Sequence, residues 1–254
     1  TVSVYPIASI NQLSTTICSG APFNVAPADT QDGIVPNGTL YTWLAPTGSG
    51  ISNGASQSTA VASITGNVTN TTASVRTAVY QITPISGTCA GANFTLVVNV
   101  QPKASIQALT AATCSGIGFT VDPAVSGVGI IPAGTLYTWT APTGSGFTGG
   151  AAQITPVSTV TGTLTMTVAS TTTATYLVIP VTGNCTGNPF TVVVTLNPKA
   201  DIQPLSLSVC AGTSFTITPQ NITNGIVPDG TQYTWLTPAG SAGNTGSCNR
   251  WHII

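Results

Sequence analysis

The sequence predicts an all-β chain made of tandem β-sandwich units, and three observations carry that reading. The first is a phrase written three times: Gly-Thr-Leu-Tyr-Thr-Trp at 38–43 and 134–139, and Gly-Thr-Gln-Tyr-Thr-Trp at 230–235. Its tryptophans are 139 − 43 = 96 and 235 − 139 = 96 positions apart. The second is that unrelated landmarks keep the same step: Cys18, Cys114 and Cys210; Phe23, Phe119 and Phe215; Pro36, Pro132 and Pro228. An ungapped period of this length marks a tandem array of one domain type. The third is the composition, with 42% apolar and only 4% charged residues and no convincing 3.6-residue periodicity.

Taken in order through the second copy, the expected strands are 97–100 and 104–109 on either side of Pro102, then 118–121, 136–140, 155–160, 164–168, 174–180 and 190–196. Each is short, rich in Val, Ile, Thr and aromatics, and bounded by Gly, Pro, Asn or Ser. About seven strands per hundred residues is the count of an immunoglobulin-like sandwich. A small closed barrel is the alternative. Asn-Val-Gln-Pro-Lys-Ala-Ser-Ile at 99–106 recurs as Thr-Leu-Asn-Pro-Lys-Ala-Asp-Ile at 195–202. One proline fixes φ and donates no ladder hydrogen bond, so one unit's last strand passes into the next unit's first without a flexible hinge. An extended rod is expected, advancing about 35–45 Å per unit from strands near ten residues.

The units are expected at 8–103 and 104–199. Residues 1–7 read as the last strand of a preceding repeat, and 200–254 as an incomplete third module. Its sequence follows the template to about Gly240. From about 241 it is anomalous, ending in Ser-Cys-Asn-Arg-Trp-His-Ile-Ile, which resembles neither earlier copy.

Cys18 and Cys89 are 71 apart, and so are Cys114 and Cys185. Each opens a similar phrase: Cys-Ser-Gly or Cys-Ala-Gly in unit one, Cys-Ser-Gly or Cys-Thr-Gly in unit two. Both members of a pair therefore sit on a turn before a strand. If those strands run parallel, the turns share one end of the sandwich, and Cys18–Cys89 and Cys114–Cys185 are intradomain disulfides. A zinc site lacks ligands, with no Cys-x-x-Cys and no nearby His. Cys210 and Cys248 either pair with each other or stay reduced.

Tyr41/Trp43, Tyr137/Trp139 and Tyr233/Trp235 are spaced i, i+2, so each pair faces one side of a strand. A sugar-stacking platform is one reading. The other is a structural core, which the fixed place of one pair per unit favours. Asp32, Asp122 and Asp229 are too isolated for calcium, which takes six or more oxygens. Pro-Asn-Gly, Pro-Ala-Gly and Pro-Asp-Gly before the aromatic strand read as turns. No catalytic set can be assembled: there is no Glu, and the sole histidine, His252, lies in the tail. No cofactor or metal site is expected. With net charge −1 there is no basic footprint for nucleic acid or an anionic membrane, and no apolar run reaches the roughly 18 residues of a membrane helix.

The phrases Cys-Ser-Gly-x-x-Phe-x-Val, Gly-Ile-(Ile/Val)-Pro-x-Gly-Thr-x-Tyr-Thr-Trp, Cys-x-Gly-x-x-Phe-Thr-(Leu/Val)-Val-Val and the closing Pro-Lys-Ala resemble the PKD-like repeats of very large surface proteins from Bacteroidota. The resemblance covers the first two units and half of the third. A Trp-Asp-Phe-Gly-Asp-Gly stretch found in the wider family is absent after the aromatic strand. The resemblance implies immunoglobulin-like stalk modules in secreted or cell-surface adhesins, often exported by the type IX system and tied to gliding or biofilm attachment. The expected partners are neighbouring repeats of the same or identical chains, with assembly into an extracellular filament by strand exchange as a variant. A carbohydrate-binding module using its aromatics, with surface glycans as partner, is the alternative.

Overall fold

In the computed structural model, residues 6–210, 212–236 and 249–253 are described. The architecture is the all-β sandwich expected from the strand count, repeated in tandem. One 3-10 turn, Pro123–Val125, is the only helical element among the described residues.

In the first unit the larger sheet has the order Leu13–Cys18, Phe94–Gln101, Arg76–Ser86, Leu40–Trp43, Gln57–Val61, and Cys89–Ala90 pairs onto the end of Arg76–Ser86. Three short pairs oppose it: Pro22–Val25 with Ile64–Asn67, Ile51–Ser52 with Thr69–Asn70, and Ser9–Ile10 with Gly33–Ile34. The second unit repeats this 96 residues on, with Leu109–Cys114, Phe190–Asn197, Thr172–Thr182, Leu136–Trp139 and Gln153–Val157 in the same order. Its opposing layer joins Gly118–Val121, Val160–Met166 and Phe147–Gly149 in one three-stranded sheet. Both layers are open, so the barrel alternative does not hold.

Alternation places the core. In Arg76–Ser86 and Phe94–Gln101 every second residue is buried, and Ala78, Tyr80, Ile82, Leu96, Val98 and Val100 have no exposed surface. The equivalent set is Ala174, Tyr176, Val178, Val192, Val194 and Leu196. Two separate cores result, one running from Ala8 to Val100 and the other from Ala104 to Leu196. A period-two apolar pattern on a half-buried antiparallel sheet gives this arrangement.

One strand was not expected. Leu109–Cys114 is a strand of its own, separate from Ser105–Ile106, and it lies parallel to the closing strand Phe190–Asn197. Its Leu-Thr-Ala-Ala-Thr-Cys sequence gives a weak strand signal, because it packs at a sheet edge with no fully buried residue. Leu13–Cys18 does the same beside Phe94–Gln101, with Cys18 opposite Gln101.

The third unit repeats the entry, pairing Asp201–Ile202 with Gly225–Ile226. Its Leu205–Val209 strand pairs antiparallel with Asn249–Ile253, where its counterparts lie parallel to a closing strand. Of residues 1–7, expected to be a preceding repeat's last strand, 1–5 lie outside the described residues, as do 237–248, where the anomalous tail begins.

Candidate functional site: the aromatic strand and the cysteine ends

The same turn forms three times, and in units one and two it leads into the aromatic strand. The Thr39 N–H and hydroxyl both donate to the Pro36 carbonyl, at 3.1 and 2.6 Å. Thr135 repeats this on Pro132 at 3.2 and 2.6 Å, and Thr231 on Pro228 at the same distances. Gly38, Gly134 and Gly230 have φ of 78°, 76° and 78° at the third turn position, which glycine adopts without strain. Asn37, Ala133 and Asp229 occupy the tolerant second position. A carboxylate at Asp229 is therefore a turn residue beside no other acid.

Asp201 lies in the Asp201–Ile202 strand, and the other three acids also serve backbone turns. Asp32 accepts from the Ala28 N–H at 2.8 Å and Asp29 from the Val35 N–H at 2.9 Å. Asp122 accepts from the Ala124 N–H at 2.9 Å and so caps the 3-10 turn. Among the described residues no three His, Cys, Asp or Glu side chains cluster as metal ligands would.

The aromatic pairs of units one and two point inward. Tyr41 and Trp43 are 2% and 6% exposed, and Tyr137 and Trp139 are 1% and 5%. Tyr41 meets Phe94 edge-on at 6.3 Å between ring centroids, and Tyr137 meets Phe190 at 6.1 Å. The Trp43 indole N–H donates to the Ala55 carbonyl at 3.2 Å, whereas the buried Trp139 N–H has no protein partner. Burial raises the Tyr41 phenol above its ordinary pKa, with the Asp32 charge adding to it. Burial, and then the Asp122 charge, pushes Tyr137 up to about 12. In the third unit, Tyr233 and Trp235 are 42% and 79% exposed, which corrects the expectation that they are core. Trp43 and Trp139 lie on strands paired with Arg76–Ser86 and Thr172–Thr182, whereas residues 231–236 form no strand.

The cysteines require a larger correction. Cys18 is bonded to Cys185, 167 residues away with Cα atoms 5.6 Å apart, while Cys89 and Cys114 are reduced. Neither expected intradomain bridge, Cys18–Cys89 or Cys114–Cys185, is present. The premise that failed is strand direction. Cys18 ends the Leu13–Cys18 strand opposite Gln101, at the tail of the closing strand. Cys89 lies opposite Ser86, before the head of that strand at Phe94. Seven residue steps from Phe94 to Gln101 separate the ends by about 23 Å, far beyond the roughly 7 Å a disulfide spans.

The same geometry brings Cys18 to Cys185. The chain leaves unit one at Gln101, whose carbonyl accepts from the Ser19 N–H at 2.9 Å beside Cys18. Three residues later Ala104, fully buried, enters unit two, and its carbonyl accepts from the Asn188 N–H at 3.0 Å. A Cβ on Gly187 would stand 2.6 Å from that carbonyl, so the Cys-x-Gly phrase needs glycine for this close approach. Cys185, two residues before that glycine, is thereby held at the entry end of unit two. The sequence did carry a usable signal, since 167 = 71 + 96 joins a cysteine as regularly to the next unit as 71 does within one. A pairing of Cys210 with Cys248 lies outside the described residues.

A family model for the PKD-like domain matches residues 15–104 and 109–200. The chain belongs to the PKD-like domain family, in two tandem copies. No curated protein sequence matches it. Among solved structures it is similar to immunoglobulin domains 1–5 of Sidekick-1, at 12% identity and a TM-score of 0.28, over 82% of this chain and 41% of that one. It is also similar to the FN1–FN3 domains of chicken CNTN1, at 11% identity and a TM-score of 0.33, over 78% and 67% of the two chains. For the insect immune protein hemolin the values are 11% identity and 0.30, over 80% and 54%. The chain thus spans about two fifths of the Sidekick-1 chain.

Proposed function

We propose that this chain is a structural stalk segment of a secreted or cell-surface adhesin, in which units 8–103 and 104–199 serve as spacers and carry out no chemistry. The observation that carries the reading is the Cys18–Cys185 bond. A disulfide inside one unit would stabilise that unit alone, whereas one between consecutive units restrains how they move relative to each other. With the short Pro102 connector it favours an extended, stiff array. A disulfide also fits an oxidising compartment outside the cytosol, and a surface of Thr, Ser, Asn and Gly with few charges is insensitive to salt and pH. Among the described residues no helix is long and apolar enough to cross a membrane. The resemblance to surface proteins of Bacteroidota supports the adhesin setting.

Filament assembly by strand exchange is a finer form of this reading. Support comes from the edge position of Leu205–Val209, which takes a strand in antiparallel pairing where the earlier units hold a parallel one. A glycan platform finds no support in units one and two, since Tyr41, Trp43, Tyr137 and Trp139 are turned into the core. Immunogold labelling of intact source cells with antibodies to residues 8–199 tests the proposal. Label along surface projections is expected, and label confined to the cell interior would sink it.

A further inference from the structure

The two reduced cysteines occupy the same positions as the two bonded ones. Cys114 is Cys18 moved by one repeat, since 18 + 96 = 114, and Cys89 is Cys185 moved back by one, since 185 − 96 = 89. Their surroundings repeat as well. Cys114 ends a strand opposite Asn197, and the Ser115 N–H donates to the Asn197 carbonyl at 2.9 Å, as Ser19 does to Gln101. Pro198-Lys199-Ala200 then follows, as Pro102-Lys103-Ala104 does. At the other end, Cys89 lies opposite Ser86, and a Cβ on Gly91 would stand 2.3 Å from the Ala8 carbonyl, as Gly187 approaches Ala104. Cys114 is exposed and Cys89 half-buried.

We propose that Cys114 and Cys89 are half-sites for the bond that Cys18 and Cys185 already make, each taking a further PKD-like unit stacked on its end of the molecule. The partner of Cys114 is a cysteine in the Cys-x-Gly turn of a following unit, at 114 + 167 = 281 in the repeat's own numbering. The partner of Cys89 is a cysteine in the Cys-Ser-Gly turn of a preceding one. Consecutive units of the array are then joined twice, once by the peptide chain and once by a disulfide, as a covalent ladder. This rests on the tandem-stalk reading and specifies how its units are held.

Bond formation requires an oxidant, supplied by a protein or small-molecule disulfide. One cysteine thiolate attacks the carrier disulfide to give a mixed disulfide, and the second thiolate displaces the carrier. The two protein thiols lose two protons and two electrons, and the carrier gains both as two thiols.

Two experiments test this by alkylation and peptide mapping under non-reducing conditions. In the full chain, Cys18→Ser is expected to expose Cys185 to alkylation and leave Cys89 labelled as before. Protection of Cys185 with fresh exposure of Cys89 would overturn the pairing on which the inference stands. The second uses the full chain with a further copy of residues 104–199 inserted after Lys199. Ser replaces the inserted copy's first cysteine, and Cys18→Ser and Cys185→Ser remove the existing bond. After oxidation with glutathione disulfide, Cys114 is expected to go from complete labelling, seen without the insertion, to background, and to be recovered linked to position 281. That linked peptide in a monomer assigns the partner to the next unit of the same chain. Covalent oligomers joined through Cys114 and Cys89 assign it to a second copy, and either result supports the half-sites. Equal alkylation of Cys114 with and without the inserted unit overturns the proposal. These outcomes leave the cell-surface labelling untouched, so the ladder and the stalk can fail separately.

Discussion

Asn70 in unit one and Met166 in unit two occupy the same place, 96 residues apart, and are 3% and 2% exposed. Their backbones are held alike: the Ser19 hydroxyl accepts the Asn70 N–H and the Ser115 hydroxyl accepts the Met166 N–H, both at 2.9 Å. Their side chains solve the same packing problem by opposite chemistry. The Asn70 amide donates to the Ser74 and Val100 carbonyls at 2.7 and 3.0 Å, and its oxygen accepts from the Thr72 N–H and hydroxyl at 2.8 and 2.9 Å. Met166 fills the space with an unbranched apolar chain and has no polar atom to satisfy. A fully satisfied polar hub fixes one geometry, and an apolar plug tolerates several. The repeat therefore specifies a backbone and a volume at this site, and leaves the chemistry free.

The largest expected difference between the units comes from truncating these plugs. Met166→Ala leaves a cavity beside Leu164 and is expected to cost about 2–5 kcal/mol. Asn70→Ala removes four hydrogen bonds, among them the side-chain donor to the Val100 carbonyl, for about 1–3 kcal/mol. Peptide-resolved hydrogen exchange reads the units separately. Met166→Ala should accelerate exchange in Phe190–Asn197 well before Phe94–Gln101, and Asn70→Ala the reverse. Equal acceleration in both strands would show that the units unfold as one body and that the comparison has no energetic meaning.

Alkali should reach both units through their buried phenols. Burial raises Tyr41, Tyr80, Tyr137 and Tyr176, and Tyr137 is pushed up to about 12. The folded state favours the neutral phenol, so the contribution is fully present below the unfolded value near 10. It is lost as pH rises toward 12, where the unfolded chain ionises first. Thermal stability is expected to be flat up to about pH 10 and to fall between 10 and 12, with Tyr137→Phe flattening that fall. The check is a series of melts alongside phenolate absorbance. Full phenolate absorbance from all six tyrosines at pH 10 with the fold intact would contradict the burial of these four rings.

A smaller contrast lies under the Phe–Tyr pairs. Phe23 and Tyr80 stand 5.6 Å apart, Phe119 and Tyr176 5.5 Å. A glycine faces each pair. A Cβ on Gly162 would come to 2.9 Å of the Tyr176 hydroxyl and 3.0 Å of the Phe119 ring, while one on Gly66 would meet Phe23 at 3.0 Å and the Tyr80 hydroxyl only at 3.5 Å. Gly162→Ala is expected to destabilise by about 1–3 kcal/mol, the usual range for overpacking, and Gly66→Ala by less. Urea titrations of the two variants rank them, and the reverse order would mean that Phe23 is the less yielding ring.

Much of this fold was legible because the repeat amplifies weak signals. Three copies of Pro-x-Gly-Thr before the aromatic phrase identified a turn that any single copy leaves ambiguous, and the fixed place of one Tyr/Trp pair per unit pointed to the core that Tyr41, Trp43, Tyr137 and Trp139 enter. The Leu109–Cys114 edge strand was not legible. Its Thr and Ala residues pack on one side only, so its sequence hardly differs from that of a loop. Missing that strand misplaced the cysteines, because its parallel pairing with Phe190–Asn197 puts Cys114 at the opposite end of the unit from Cys185. Spacing within one chain measures distance along the polymer. A bond between neighbours depends on which ends meet, and only the sheet topology supplies that.

The smallest expected effect isolates the hydroxyl that completes the unit-one hub. Thr72 donates to the Asn70 oxygen at 2.9 Å and accepts from Arg76 Nε at 3.0 Å. Unit two carries Val168 and Thr172 at these places, and Thr172 turns its hydroxyl to the Ser145 carbonyl at 2.9 Å instead. Thr72→Val gives unit one the residue that unit two already has, with almost no change of volume. The Asn70 oxygen keeps the Thr72 N–H, so it loses one of two donors and is not orphaned. Arg76 is half-exposed and regains water. The expected cost is therefore about 0.5–1.5 kcal/mol, the worth of one ordinary hydrogen bond, and the same change made on an Asn70→Ala background should cost close to nothing. A double-mutant cycle by urea denaturation measures that coupling. Additive costs would mean that Thr72 acts through Arg76 or Ser74, and that the polar hub of unit one ends at Asn70.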